Sequence, residues 1–142
     1  MQPSMSGRLK PIGKRMPDFK TWDIVKVPFP YTDRPVREWR PALVIGEGFL
    51  QQSHSLVWVV IITSARNPRW PGDVAISDIV LAGLSAESVV RTAKIATIET
   101  IEAGKIGYLD IADRSAVREQ MTKILEQSLF YREKPTTQGD SP

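Results

Sequence analysis

Leu56-Val57-Trp58-Val59-Val60-Ile61-Ile62 is the longest apolar run in the chain, and the architecture turns on how it is read. Its seven residues fall far short of the about 20 that a helix needs to cross a bilayer. Val and Ile dominate it, so it reads as a buried strand. Upstream, segment 46–55 carries two glycines and short polar residues, which predicts a turn back into this strand. Before that turn, Ala42-Leu43-Val44-Ile45 forms a second run. Asp23-Ile24-Val25-Lys26-Val27 alternates polar and apolar residues until Pro28 and Pro30 stop it. These two runs are expected to pair as neighbours. Downstream, Asp73-Val74-Ala75-Ile76 predicts a short edge strand, while Ser88-Val89-Val90 and Lys94-Ile95-Ala96-Thr97-Ile98 predict one or two later strands. Short β-branched runs separated by turn residues point to a small, strongly bent sheet rather than a helical bundle.

One helix is expected after Leu109. Asp110 or Asp113 is placed to cap it, and Val117, Met121, Ile124, Leu125 and Leu129 recur at three- and four-residue spacing. Residues 1–20 mix Pro, Gly, Ser and basic residues without periodicity and predict a flexible basic arm, with Met16 a second candidate start. Residues 21–131 make the folded domain and 132–142 a frayed tail. A length of 142 residues with 42% hydrophobic content suits one soluble domain.

Cysteine is absent, which removes disulfides, thiolate metal sites and a cysteine nucleophile and is compatible with a reducing compartment. Arg8, Lys10, Lys14 and Arg15 lack the apolar stretch of a secretory signal, so the expected location is the cytoplasm, with no membrane partner. The formal charge of +3 suits an anionic partner, although 19 basic residues against 16 acidic ones is a mild excess. His54 is the single histidine and falls in the expected turn, so a paired-imidazole acid–base site cannot be built within one subunit. Carboxylates are scattered without His or Cys at ligand spacing. No zinc site is therefore expected, a magnesium site stays open, and a mechanism without metal or other cofactor is the economical expectation.

Two expected loops combine arginine with an indole: Asp33-Arg34-Pro35-Val36-Arg37-Glu38-Trp39-Arg40, and Ala65-Arg66-Asn67-Pro68-Arg69-Trp70-Pro71. Guanidinium groups hold phosphates and an indole face stacks an unpaired base, so Arg37, Trp39, Arg66, Arg69 and Trp70 are candidates for binding single-stranded RNA. The competing reading packs both indoles on the sheet and leaves the arginines solvated. Thr63 and Ser64 stand where the central strand ends, either as rim hydroxyls facing substrate or as strand-ending hydrogen bonds.

Several segments together, in order and spacing, resemble the MazF/PemK family of toxin endoribonucleases. They are Asp23-Ile24-Val25, Pro28-Phe29-Pro30-Tyr31-Thr32-Asp33, Arg40-Pro41-Ala42-Leu43-Val44-Ile45, Ile62-Thr63-Ser64, Ala82-Gly83-Leu84, Ser88-Val89-Val90-Arg91 and Lys94-Ile95-Ala96-Thr97-Ile98. The resemblance implies a mainly β fold: a small SH3-like barrel extended by an antiparallel sheet, with a C-terminal helix and a homodimer as the working unit. It implies that Arg40 and Thr63 are the catalytic pair; Ser64, at the same strand end, is a candidate for binding substrate. Arg40 would stabilise a phosphorane-like transition state and Thr63 would position the scissile phosphate or relay a proton, while the 2′-hydroxyl attacks. Products would carry 2′,3′-cyclic phosphate and 5′-hydroxyl ends. Arg40 has an alternative as a surface ion pair with Glu38 or Asp33. The resemblance also implies a cognate acidic antitoxin as partner. A CcdB-like toxin that binds DNA gyrase without cutting RNA, or an inactive RNA-binding relative, is the competing expectation. Two positions depart from the family pattern: Trp22 replaces a usual glycine, which is expected to bend or crowd the first turn, and Ala65 replaces a common glutamine.

Overall fold

The computed structural model describes residues 18–29 and 38–130. The sequence readings for Met16, Asp33, Arg34 and Arg37, and for most of both tails, lie outside these residues.

The apolar run quoted first is the core of a strand, and its neighbours arrange themselves around it. In chain order the elements are β1 (Asp23–Phe29), β2 (Glu38–Gly46), α1 (Phe49–His54), β3 (Leu56–Ser64), β4 (Asp73–Ala75), β5 (Ser88–Glu99), β6 (Gly104–Tyr108) and α2 (Ile111–Leu129), with a 3-10 turn, Thr100–Glu102, between β5 and β6. Among the described residues the six strands form one antiparallel sheet in the order β4-β5-β3-β2-β1-β6. β1 and β2 pair as expected, Ile24 opposite Leu43 and Val27 opposite Arg40. β4 is the short edge strand.

Four elements differ from the sequence reading. β1 runs on through Pro28 to Phe29, and β2 begins at Glu38. Glu38, Trp39 and Arg40 are strand and not loop because they pair with Phe29, Pro28 and Val27. α1 and β6 are the others. The expected turn at 46–55 contains the short helix α1, entered at Gly48 and left through Ser55 in a left-handed conformation. His54 is therefore in the last helical turn. The two later runs, expected as one strand or two, form a single strand, β5, whose register against β3 jumps between Val60 and Ile61, so that Thr92, Ala93 and Lys94 bulge out and bend it. β6, with two glycines and no apolar alternation, was not expected from the sequence at all.

The sheet curls. β5 and β6 lie four strand spacings apart in sheet order, roughly 19 Å if the sheet were flat. The chain crosses from Glu99 to Gly104 in a link that even fully extended spans at most about 17 Å, and the 3-10 turn shortens it further. Only a rolled sheet lets that link close. Rolling explains why both faces are buried although one helix covers only one of them. Val25, Val27, Ala42, Val44, Val57, Val59 and Ile61 pack inside the roll with Phe19, Ala96, Ile98 and Ala103. Ile24, Leu43, Val60, Ile62 and Val90 face outward against Leu109 and Val117 of the α2 region. Phe19, inside the stretch that composition assigns to the arm, is thus a core residue, and its backbone N–H and carbonyl both bond the Gln51 carboxamide.

Asp110 caps α2 by accepting from the Ala112 N–H. Asp113 accepts from both the backbone N–H and the hydroxyl of Ser77, which fastens the helix to the loop before β5. Along the expected apolar stripe only Val117 is fully buried; Leu125 is 43% and Leu129 71% exposed. Among the described residues no helix is long and apolar enough to cross a membrane.

Candidate active site

The β2–β3 pairing sets the site. The β2–β3 ladder ends with Ala42 opposite Ile61, and two residues beyond that pair on their own strands stand Arg40, near the start of β2, and Thr63, near the end of β3. Both line one open cleft of about 260 Å³ at the rim of the sheet. Pro41, Ile62 and Leu84 supply its apolar wall, and Ser64, Asn67, Ser85 and Ser88 its polar one. Arg40 is half-buried, whereas Thr63 is 6% exposed and sits at the floor.

The cleft is rich in hydroxyls, but they are not equivalent. Ser88 Oγ donates to the Ala86 carbonyl at 2.9 Å. Ser64 Oγ accepts from the Arg66 N–H at 3.1 Å. Thr63 Oγ1 accepts from Asn67 Nδ2 at 2.6 Å. Among the described residues, no histidine or carboxylate lines the cleft. An adjoining cleft shares Ser64 and Ala86 and is completed by Ala65, Arg66 and Glu87. An arginine fork beside fixed donors is suited to negative charge on a tetrahedral or pentacoordinate centre.

Arg66, Arg69 and Trp70 lie on loop 65–72 and are exposed. The loop is pinned from below by Arg91 of β5. Its guanidinium holds the Asp73 carboxylate through Nη2 at 2.9 Å and Nε at 3.2 Å, donates to the Pro68 carbonyl at 2.7 Å, and stacks 4.3 Å from the Trp70 ring centroid. Burial alone would raise the Asp73 pKa, but the Arg91 hydrogen bond, the Trp70 N–H and the charges of Arg91 and Arg69 together hold it below the ordinary value. Trp70 is 44% exposed, so one ring face rests on Arg91 and the ring is not part of the sheet core.

Trp39 is placed differently. It is 60% exposed, has the Lys26 ammonium 5.3 Å from its ring, and lines a separate cleft with Pro28, Ile101 and Glu102. The structure therefore gathers Arg40, Thr63 and Ser64 in one cleft, sets Arg66, Arg69 and Trp70 on the neighbouring loop, and keeps Trp39 apart; Arg37 lies outside the described residues. Sequence reasoning missed Asn67, Asp73 and Arg91. Arg91 did carry a signal, a charged residue within a β-branched run, and so did Asn67, a carboxamide before proline four positions after Thr63.

The chain belongs to the family described as PemK-like, MazF-like toxins of type II toxin–antitoxin systems, whose model matches residues 20–125. Solved structures agree on the fold. MazF from Deinococcus radiodurans is 20% identical with a TM-score of 0.60, the alignment covering 79% of this chain and 98% of that one. A MazE-MazF complex from the same organism is 21% identical with a TM-score of 0.59, covering 79% and 97%. The Mycobacterium tuberculosis toxin MazF-mt6 is 23% identical with a TM-score of 0.58, covering 73% and 96%. A search of curated proteins finds no significant match.

Proposed function

We propose that this toxin is an endoribonuclease that cuts single-stranded mRNA without a metal ion. The observation that carries the reading is the meeting of Arg40 and Thr63 in one solvent-open cleft. The 2′-hydroxyl attacks the adjacent phosphorus and the bond to the 5′-oxygen breaks, leaving a 2′,3′-cyclic phosphate and a 5′-hydroxyl. Charge grows on the non-bridging oxygens as the 2′-oxygen approaches. The Arg40 guanidinium neutralises it with paired donors, while Thr63 and Ser64 offer hydroxyls at the same rim. Arg66, Arg69 and the outer face of Trp70 extend the surface along which a single strand lies. Trp39 is proposed to contact RNA beyond the cleft, beside Lys26, and Arg37 belongs to the same binding set.

The working unit is a homodimer in the cytoplasm. Its activity is held in check by a cognate antitoxin whose acidic segment covers these basic loops. No second reading is carried forward, because a gyrase-binding toxin has no use for a guanidinium and a threonine aimed into one cleft.

The test is cleavage of a long unstructured RNA in excess EDTA, with end-group analysis of the products. Arg40→Ala should lower cleavage by at least a hundredfold, about the loss expected when an oxyanion donor is removed, while leaving the oligomeric state unchanged. Strict dependence on added magnesium would overturn the mechanism, and no cleavage of any RNA would overturn the function.

A further inference from the structure

Asn67 is the one asparagine in the chain, and its carboxamide rests on the hydroxyl that the cleavage reading uses. The contact is built by the local backbone. In turn 64–67 the Asn67 N–H donates to the Ser64 carbonyl at 3.1 Å and the Arg66 N–H to Ser64 Oγ at 3.1 Å. The Ala65 N–H donates to the Glu87 carbonyl at 2.9 Å, tying the turn to the segment before β5. This reversal carries Asn67 back over the end of β3, where Nδ2 meets Thr63 Oγ1 at 2.6 Å.

A threonine hydroxyl has one proton and two acceptor lone pairs. Near a strand end, its usual course is to spend the proton on a nearby backbone carbonyl. An amide donor on the oxygen changes that choice, because it occupies a lone pair and leaves the proton to be given elsewhere. A carboxylate in the same place would do the opposite and take the proton.

We propose that Asn67 is a positioning residue that fills an acceptor site on Thr63 and so turns the threonine proton toward a non-bridging oxygen of the scissile phosphate, beside Arg40. The inference rests on the endoribonuclease reading above and deepens it. Ala65 offers no side-chain donor, so in this chain the carboxamide of the cleft comes from position 67.

The experiment is a double-mutant cycle under single-turnover conditions with excess protein. Asn67→Ala and Asn67→Asp are each made alone and in a Thr63→Val background. Asn67 is exposed, so the variants should melt close to the parent. Asn67→Ala should lower the cleavage rate about tenfold to a hundredfold at saturating protein, the size of a modest misplacement of a reacting group, with a smaller change in the half-saturating concentration. Asn67→Asp keeps the shape and still bonds Thr63, yet should be at least as slow, and should regain rate as the pH falls through the range of a carboxylic acid. In the Thr63→Val background both changes should cost less than threefold, because there is no hydroxyl left to orient.

A purely structural contact gives a different pattern: Asn67→Asp as active as the parent, or costs that are equal in both backgrounds. Either result with an active parent overturns this inference alone. An inert parent overturns the nuclease reading, and this inference with it.

Discussion

Thr21 and Trp22 fill the two central places of turn 20–23, which is closed by the Asp23 N–H donating to the Lys20 carbonyl at 2.9 Å. Trp22 stands third in that turn with φ at +83°, the place where a type II turn needs positive φ and where glycine is the easy solution. That accounts physically for the glycine of the family pattern. The turn is closed and tied on both sides: the Trp22 N–H bonds the Val44 carbonyl, and its own carbonyl receives the Leu109 N–H. The indole offsets the strain by packing against the outer core and under the guanidinium groups of Arg118 and Arg114, 5.4 and 5.7 Å from its ring. Both Trp22→Ala and Trp22→Gly should therefore lower stability, with the glycine variant ahead of the alanine one by about 1 kcal/mol. Urea unfolding curves check the order, and an alanine variant as stable as the glycine one contradicts the strain. Trp70→Ala should weaken binding of a short unpaired RNA by about 1–3 kcal/mol if its outer face stacks a base; unchanged anisotropy titrations would leave the ring a packing role on Arg91. At this scale Arg40 and Thr63 could be singled out as candidates because they sit in recognisable strings, and they line one cleft. The Asn67 hydrogen bond was not, since it exists only once turn 64–67 has closed.

Loop 65–72 behaves as one element with β4 because Arg91 joins them. The Asp73 and Arg91 side chains are 2% and 9% exposed, so this is a buried pair rather than a surface one. With the Asp73 pKa depressed in the folded chain below its ordinary 3.8, the sign is fixed. The pair's contribution is complete above that ordinary value and is lost as the pH falls below it through the folded one. Protection of the amides around Trp70, taken relative to the intrinsic exchange rate at each pH, should fall on acidification in that window, and Asp73→Asn should show the lower protection already at neutral pH. Equal protection in the parent and in Asp73→Asn at neutral pH would remove the clamp from the account. The elements themselves were unevenly legible. β3 and the β1–β2 pair follow from hydrophobic runs alone. α1 escaped because Phe49–His54 is too short to show a helical period and is preceded by glycines that read as a turn. β5 read as one strand or two because its bulge falls on Thr92, Ala93 and Lys94, which break the apolar alternation.

Across the whole molecule, the rolled sheet depends on a contact that no local pattern announces. Gly83, at φ +77°, presses on the Ile106 carbonyl, and Gly107 presses on the Ala82 backbone; an added Cβ at either place would overlap a main-chain atom. This double approach seats β6 against the loop before β5, with the Tyr108 N–H donating to the Leu81 carbonyl. Gly107→Ala should accordingly cost about 1–3 kcal/mol or more by overpacking alone. Thermal melting would show it, and an unchanged melt would mean that β6 shifts freely. β6 could not be read from the sequence for the same reason: Gly107 is required by the Ala82 backbone that only the closed fold brings against it. The other global consequence concerns time. Asparagine ordinarily decays when the next residue's backbone nitrogen attacks its side chain and expels ammonia through a cyclic imide. Here the following residue is Pro68, whose nitrogen carries no proton and is already fully substituted. With no other asparagine in the chain, the molecule lacks the usual hydrolytic clock, and the amide resting on Thr63 should survive months of storage as an amide.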